Sequence, residues 1–334
     1  MNPVLARETR ERFRSRRVSL FVSLWLLGMG AITYVVYLLA QVIARDTFSL
    51  GRLVAAGYQG RFVFQASVLV LITSVVMVVP GATATSIVGE RERQTLHLLQ
   101  VSQMTPFQIV MGKLQASLAY LVWLVVAALP LVALPLVFGG VSLGDVAAGL
   151  GMLLATALVL GSISMWVSAR AKSARGAVAA SYALAIALAF LTFVPMTAEL
   201  LITANSNSGL FQRGGGELYS VLINPYFGTV SAIEAPLEVR QDPSGQATPF
   251  VPFELVLFGR QGADVFGAFS SMAPGTIEEV DGRQLVNYQR PPLWLYTLAF
   301  DLALSAVMLW RASEAVRAPA ARQLELTRNR HANS

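Results

Sequence analysis

The chain has 334 residues, 55% of them hydrophobic and 13% charged, about half the charged fraction of an average soluble domain. It contains no cysteine, which excludes disulfides, thiolate metal sites and cysteine nucleophiles; its two histidines, His97 and His331, are too few and too separated to hold a metal without carboxylate help. The net charge of +6 comes from basic residues that are nearly all arginine and sit beside apolar runs, a pattern of membrane topology and not of a nucleic-acid surface.

At the N-terminus, Asn2-Pro3 reads as a cap followed by a proline at the first helical position. The helix it opens, in residues 1–17, carries six arginines against two glutamates and suits the surface of an anionic inner leaflet. The apolar run from Val18 to Ala44 is far longer than a signal-peptide core and lacks an evident cleavage site, so it is expected to stay as the first span. A short, mildly polar connection, Arg45 to Arg61, leads to a second span from about Phe62 to Ile87, with a kink expected at Pro80-Gly81.

Gly89 to Lys113 is a charged insert between two uncharged runs, each long enough to cross a bilayer, which takes roughly 20 apolar residues. It is therefore expected to be a connector at one membrane face. Within it, Thr105-Pro106-Phe107-Gln108 reads as an N-cap, an N1 proline and a completed capping box, so a helix begins at Pro106. Glu90 to Val101 is expected to form a short surface helix with Thr95, Leu96 and Leu99 on one face and Glu90, Arg91 and Arg93 elsewhere.

The third span covers about Leu114 to Phe138, loosened at its outer end by Pro130 and Pro135, and Gly139-Gly140 makes the turn. The fourth runs from about Val146 to Ala169 and the fifth from Gly176 to Thr197, with a short basic link between them. Small residues on these two spans, including Gly149, Gly151 and Gly161, point to close helix packing. Residues 199–290 differ in kind: ten acids against five arginines, with more glycine and proline, read as a small extracytoplasmic module. In it, Asn224-Pro225 caps a short helix bearing Tyr226, Phe227, Val230 and Ile233, expected to rest at the membrane surface, and Asp281-Gly282 is the preferred pair for a tight hairpin turn. The sixth span, about Leu293 to Trp310 within residues 291–311, leads to a basic tail, 312–334.

Seventeen of the 25 lysines and arginines fall in the N-terminal segment, the central insert, the link between spans four and five, and the tail. Positive bias in short loops sets orientation, so the termini and the insert are expected to be cytoplasmic in a plasma (bacterial inner) membrane, with 199–290 outside. No phosphate-cradling loop, zinc-protease helix or nucleophile elbow is present, which argues against catalysis by this polypeptide.

The stretch GATATSIVGERERQTLHLLQVSQMTPFQIVMGK resembles the region between the second and third spans of type 2 ABC exporter permeases: small residues, an acid-basic-acid cluster, Thr-Leu, a leucine pair, a proline-started helix and Gly-Lys. NPVLARETRERFRSRR is similar to that family's N-terminal elbow helix, and Asn224-Pro225-Tyr226 before a last span beginning PPLWLY is similar to its final third. Gln94 departs from the pattern, standing where a glycine commonly precedes the threonine.

The resemblance implies an all-α polytopic membrane protein: six transmembrane helices in 18–198 and 291–311, an interfacial elbow helix in 1–17, a cytoplasmic coupling helix at about 89–105, and a small mixed α/β module in 199–290. It further implies a dimer, homodimeric or paralogous, with separate ATPase subunits that bind the ATP and magnesium; this chain would carry no cofactor. Glu90, Arg91, Glu92, Arg93, Thr95, Leu96 and Leu99 would then seat in the ATPase, the charges fixing register; the alternative is an ordinary solvated helix cap. An accessory protein outside is a further expected partner, and no nucleic acid is.

For a pathway, the candidates are Thr73, Pro80, Thr83 and Asp301. Asp301 lies near mid-membrane, where an ionisable residue is either functional or bonded to hydroxyls of neighbouring helices. The other spans offer hydroxyls only, a lining that favours a lipidic or amphiphilic cargo. The rival function is a membrane-anchored scaffold or sensor whose ATPase drives rearrangement without transport.

Overall fold

The structure is a computed structural model that describes residues 16–47, 52–96, 105–138, 141–191, 194, 223–233, 275–280, 283–288 and 293–332. The elbow segment, Leu99, the 139–140 turn and most of 199–290 lie outside the described residues. In chain order the elements are α1 (Arg16–Thr47), α2 (Arg52–Thr83), α3 (Val88–Glu92), α4 (Pro106–Ala133), α5 (Pro135–Phe138), α6 (Leu143–Arg170) and α7 (Ala174–Ile186), which continues as a π-helical turn over Ala187–Leu191. They are followed by α8 (Pro225–Ile233), β1 (Gly275–Val280), β2 (Arg283–Tyr288) and α9 (Leu293–Ala332).

Six of these helical stretches are long and apolar enough to cross a membrane, as expected: α1, α2 through α3, α4 with α5, α6, α7 with its π turn, and α9. The protein is a multi-pass, predominantly helical membrane protein.

Local chemistry sets the boundaries. Thr105 accepts from the Gln108 amide while the Gln108 side chain accepts from the Thr105 amide at 2.9 Å, so α4 starts where the capping box places it. Ser142 and Asp145 form a second such box and start α6 at Leu143, three residues before the expected Val146. Ser173 caps α7.

The second span departs from expectation. The apolar run continues to Val88, but α2 ends at Thr83 and the chain turns before α3 begins. There the Ser86 amide bonds the Thr83 carbonyl, while the Ile87 and Val88 amides leave the ladder to reach Ser168 on α6. A side-chain acceptor from another helix thus replaces the intrahelical one. Pro80 lies inside α2, and Tyr182 of α7 donates to the Met77 carbonyl one turn before Gly81. A Cβ on Gly81 would stand 2.6 Å from that hydroxyl, so the glycine admits the tyrosine.

α6 is the central post. It packs against α2, α4, α7, α8 and α9, and its small residues let neighbours close in: a Cβ at Gly149 would meet Ile233 of α8 at 3.0 Å, and one at Gly161 would meet Leu114 of α4 at 2.8 Å. Gly151 has no such neighbour among the described residues. Phe64, Leu71 and Ile72 of α2, Leu121 of α4 and Leu153 and Leu160 of α6 make the core. α1 is peripheral, with Leu20, Leu24 and Leu27 each more than 70% exposed on its outer side.

α8 was expected to rest at the membrane surface as part of the outer module. Instead it is inserted among the spans. Gly228 lies against Thr297 of α9, Ile233 against Gly149, Arg61 donates to the Ile233 carbonyl at 2.8 Å, and the Asn224 amide nitrogen reaches the Ala189 carbonyl. β1 and β2 pair antiparallel with Val280 opposite Arg283, the register that the Asp281-Gly282 turn signal requires. α9 does not end near Trp310 but runs as one helix to Ala332, through most of the expected tail. Thr297, Asp301, Ser305, Leu309, Ala312 and Val316 form its buried stripe, at a spacing of three and four residues.

Candidate functional site

The candidate site is the junction around α3, where one helical turn is tied to three others. The Ser168 hydroxyl of α6 accepts from the Ile87 and Val88 amides at 3.0 and 3.1 Å, satisfying two buried donors at the start of α3. Arg91 forks onto the end of α6, donating to the Ala169 carbonyl at 2.7 Å and the Ala171 carbonyl at 2.9 Å. Glu92 accepts from the Ala174 amide at 2.7 Å, at the first turn of α7, where a carboxylate complements the helix dipole. Glu90 turns the other way, to the Lys113 ammonium of α4 at 3.2 Å, and also accepts from the Thr95 hydroxyl.

Lys113 is only 3% exposed. A cation so enclosed requires a partner, and Glu90 supplies it. Three of the four charges expected to meet another protein are thus engaged inside this one.

The remaining members of the cluster divide. Arg93 and Gln94 are exposed, and Gln94 has a φ of 58°, the left-handed region that favours glycine. This turn ends α3 after Glu92, so the continuous amphipathic helix expected from Glu90 to Val101 does not form. Leu96, expected on its docking face, is instead buried at 7% exposure against Ile87, Val110, Leu114, Met165 and Leu309. The side chains left outward around the junction, Arg93, Arg170, Lys172 and Arg175 with Glu92, give a basic surface. Arg170 lies over the Trp166 ring at 5.3 Å.

The pathway candidates do not gather on one cavity. Thr73 is exposed on α2, where its hydroxyl bonds the Leu69 carbonyl and lies 3.2 Å from the Tyr226 hydroxyl. Pro80 and Thr83 are buried, and Thr83 bonds the Val79 carbonyl at 2.7 Å. Ser67, Ser74, Ser162 and Thr229 likewise bond the carbonyl one turn back, so these hydroxyls satisfy their own helices. Asp301 is fully buried, and neither carboxyl oxygen has a hydrogen-bond partner among the described residues. The Ser305 hydroxyl bonds the Asp301 backbone carbonyl, not its carboxyl.

Ser168, Ala169, Ala171 and Lys113 were not legible as parts of the junction. Lys113 carried one sign, a lone cation at the start of an apolar run; the carbonyls of Ala169 and Ala171 carry none. The model of the family described as "ABC-2 family transporter protein" matches residues 2–254, which hold α1 to α8 and leave α9 beyond the matched part. No curated protein matches the sequence.

Proposed function

Because the chain belongs to the ABC-2 transporter family, we propose that it is the permease subunit of an ATP-driven exporter, working as a dimer with separate ATPase subunits that bind ATP and magnesium. The observation that carries this reading is the stapling of α3. Four points on one helical turn hold the inner ends of α4, α6 and α7, so displacement of α3 is delivered to three spans together.

In this reading the ATPase engages the outward surface of the junction, through Arg93 and Gln94. Glu90, Arg91 and Glu92 transmit the movement inward. The outward charge is basic, so the partner's receiving face is acidic or rich in carbonyl acceptors. The bias of arginine and lysine toward this end supports a cytoplasmic junction and cytoplasmic termini in the bacterial inner membrane. Hydroxyls spent on their own backbones leave apolar span surfaces, which supports a lipidic or amphiphilic cargo. The translocation path then forms between two subunits and not within one. Thr73 and Tyr226, exposed and half-buried respectively, are the polar groups this subunit offers to it.

The test is reconstitution of the chain with its ATPase in vesicles, with movement of a labelled amphiphile followed on ATP addition. ATP-dependent crossing supports the exporter. ATP consumed with no movement of any amphiphile tried would transfer the support to the scaffold reading.

A further inference from the structure

A groove of about 330 Å³ opens on the outer side of the bundle between α4 and α9, with α6 as its floor. Phe107 and Met111 form one wall, Leu158 the floor, and Leu302, Leu309 and Trp310 the other wall. Of its polar lining groups, the Ser305 hydroxyl is already bonded to the Asp301 carbonyl and the Trp310 indole N–H stands at one end, so the groove is apolar along the rest of its length. From Leu302 to Trp310 it extends roughly 12 Å along α9, at 1.5 Å per residue, within one leaflet of a hydrocarbon core about 30 Å thick.

The two ends differ. At the end where α4 begins, Phe107 and Trp310 are 49% and 56% exposed, the placement of aromatic residues at a headgroup boundary. Arg317, two helical turns beyond Trp310, projects along the same side as the groove, whereas Arg311, stacked near the Trp310 ring at 5.9 Å from its centroid, stems from the opposite face of α9. Both arginines are exposed, and neither is in an ion pair among the described residues; Glu314 is the one acid between them.

An apolar slot in one leaflet, closed by aromatics and followed on the same helix face by an exposed guanidinium with no ion pair among the described residues, has the charge pattern of a single amphiphile with an anionic head. We propose that this groove holds one acyl chain of an anionic phospholipid, with Arg317 on its phosphate. The site is a resident lipid site on α4 and α9, distinct from any cargo path between subunits. It depends on the chain crossing a membrane and not on the ATPase reading.

The absence of native cysteine makes the test direct. Ala303, exposed one residue from the groove wall, is replaced (Ala303→Cys) and labelled with a bimane fluorophore, and the permease alone is placed in vesicles containing chain-brominated phosphatidylglycerol or phosphatidylcholine. Half-quenching is expected at a mole fraction of phosphatidylglycerol about fivefold lower than of phosphatidylcholine. Arg317→Gln removes the difference, Arg311→Gln, on the opposite face of α9, leaves it, and Ala306→Phe, which fills the groove, removes it with both arginines intact. Equal quenching by the two lipids in the native-arginine background overturns the proposal, leaving ordinary boundary lipid. Weak quenching by both, with bismaleimide cross-linking of Ala306→Cys between two copies, overturns it in favour of a protein-covered groove. Because no ATPase is present, these outcomes are independent of whether ATP drives transport.

Discussion

Lys113 places an ammonium group at the base of α4 where solvent hardly reaches, and Glu90 is its answer. The pair is asymmetric: Glu90 is 29% exposed and keeps the Thr95 hydroxyl as a second partner, whereas Lys113 sits almost wholly inside. Removing the acid leaves an enclosed cation, a loss on the order of 2 kcal/mol. Removing the cation leaves a carboxylate that water can still solvate. Glu90→Gln should therefore lower the thermal unfolding midpoint in detergent more than Lys113→Met does, and the double variant should recover most of the difference. Equal losses in the two single variants would mean that the ion pair contributes nothing beyond packing. Gln94 offers the reverse case. Its φ of 58° is strained for a side chain with a Cβ. Gln94→Gly relieves that strain, so a gain of up to about 1 kcal/mol is expected, read as a higher midpoint. A lower one would show that the glutamine side chain holds the turn.

Between elements, the decisive contacts are made by residues too small to signal themselves. The Gly228 backbone touches Thr297, and a Cβ there would fall 2.5 Å from the Thr297 methyl, so α8 and α9 must part or shift. Gly228→Ala should cost about 1–3 kcal/mol. Gly151→Ala, in the interior of α6 with no atom within 4 Å of the added methyl, should instead be neutral or stabilise by up to about 1 kcal/mol. Comparing these two variants by thermal unfolding separates packing from helix propensity. The same contrast explains what the sequence could and could not tell. Spans are legible because a bilayer demands long uncharged runs, and helix starts at Pro106 and after Ser142 are legible because capping is local chemistry. The end of α2 at Thr83 was not, because the acceptor that draws the Ile87 and Val88 amides away is Ser168, some 80 residues on. Nor was the insertion of α8: Tyr226 and Phe227 look like interfacial aromatics until Gly228, Gly149 and Arg61 bring the other helices against them. At the junction, the charges of Glu90 to Arg93 were plain in the sequence, but Arg91 is directed by backbone carbonyls and Glu92 by a backbone amide, groups that have no sequence signature.

For the whole molecule, the division of the junction into inward and outward side chains separates two functions that a single acidic-basic cluster would confuse. If Arg93 and Gln94 are what the ATPase touches, reversing the charge at Arg93 should weaken association between the two subunits by roughly tenfold while leaving the permease's own thermal stability unchanged, because the side chain is exposed and a surface charge contributes little to the fold. Ser168→Ala should do the opposite. It orphans two buried amides at the start of α3, costing about 1–3 kcal/mol, but lies on α6 and presents nothing to a partner. The ATPase should bind it with native affinity, yet ATP hydrolysis should respond less to cargo, because α3 is then tied to α6 through the Arg91 fork alone. Both variants can be read in one preparation: co-purification reports association, and cargo-stimulated phosphate release reports transmission. A Ser168→Ala, Arg91→Gln protein that folds, binds the ATPase and still answers cargo as the native chain does would mean that force reaches α6 by another route, and α3 would then be only the cap of the span it follows.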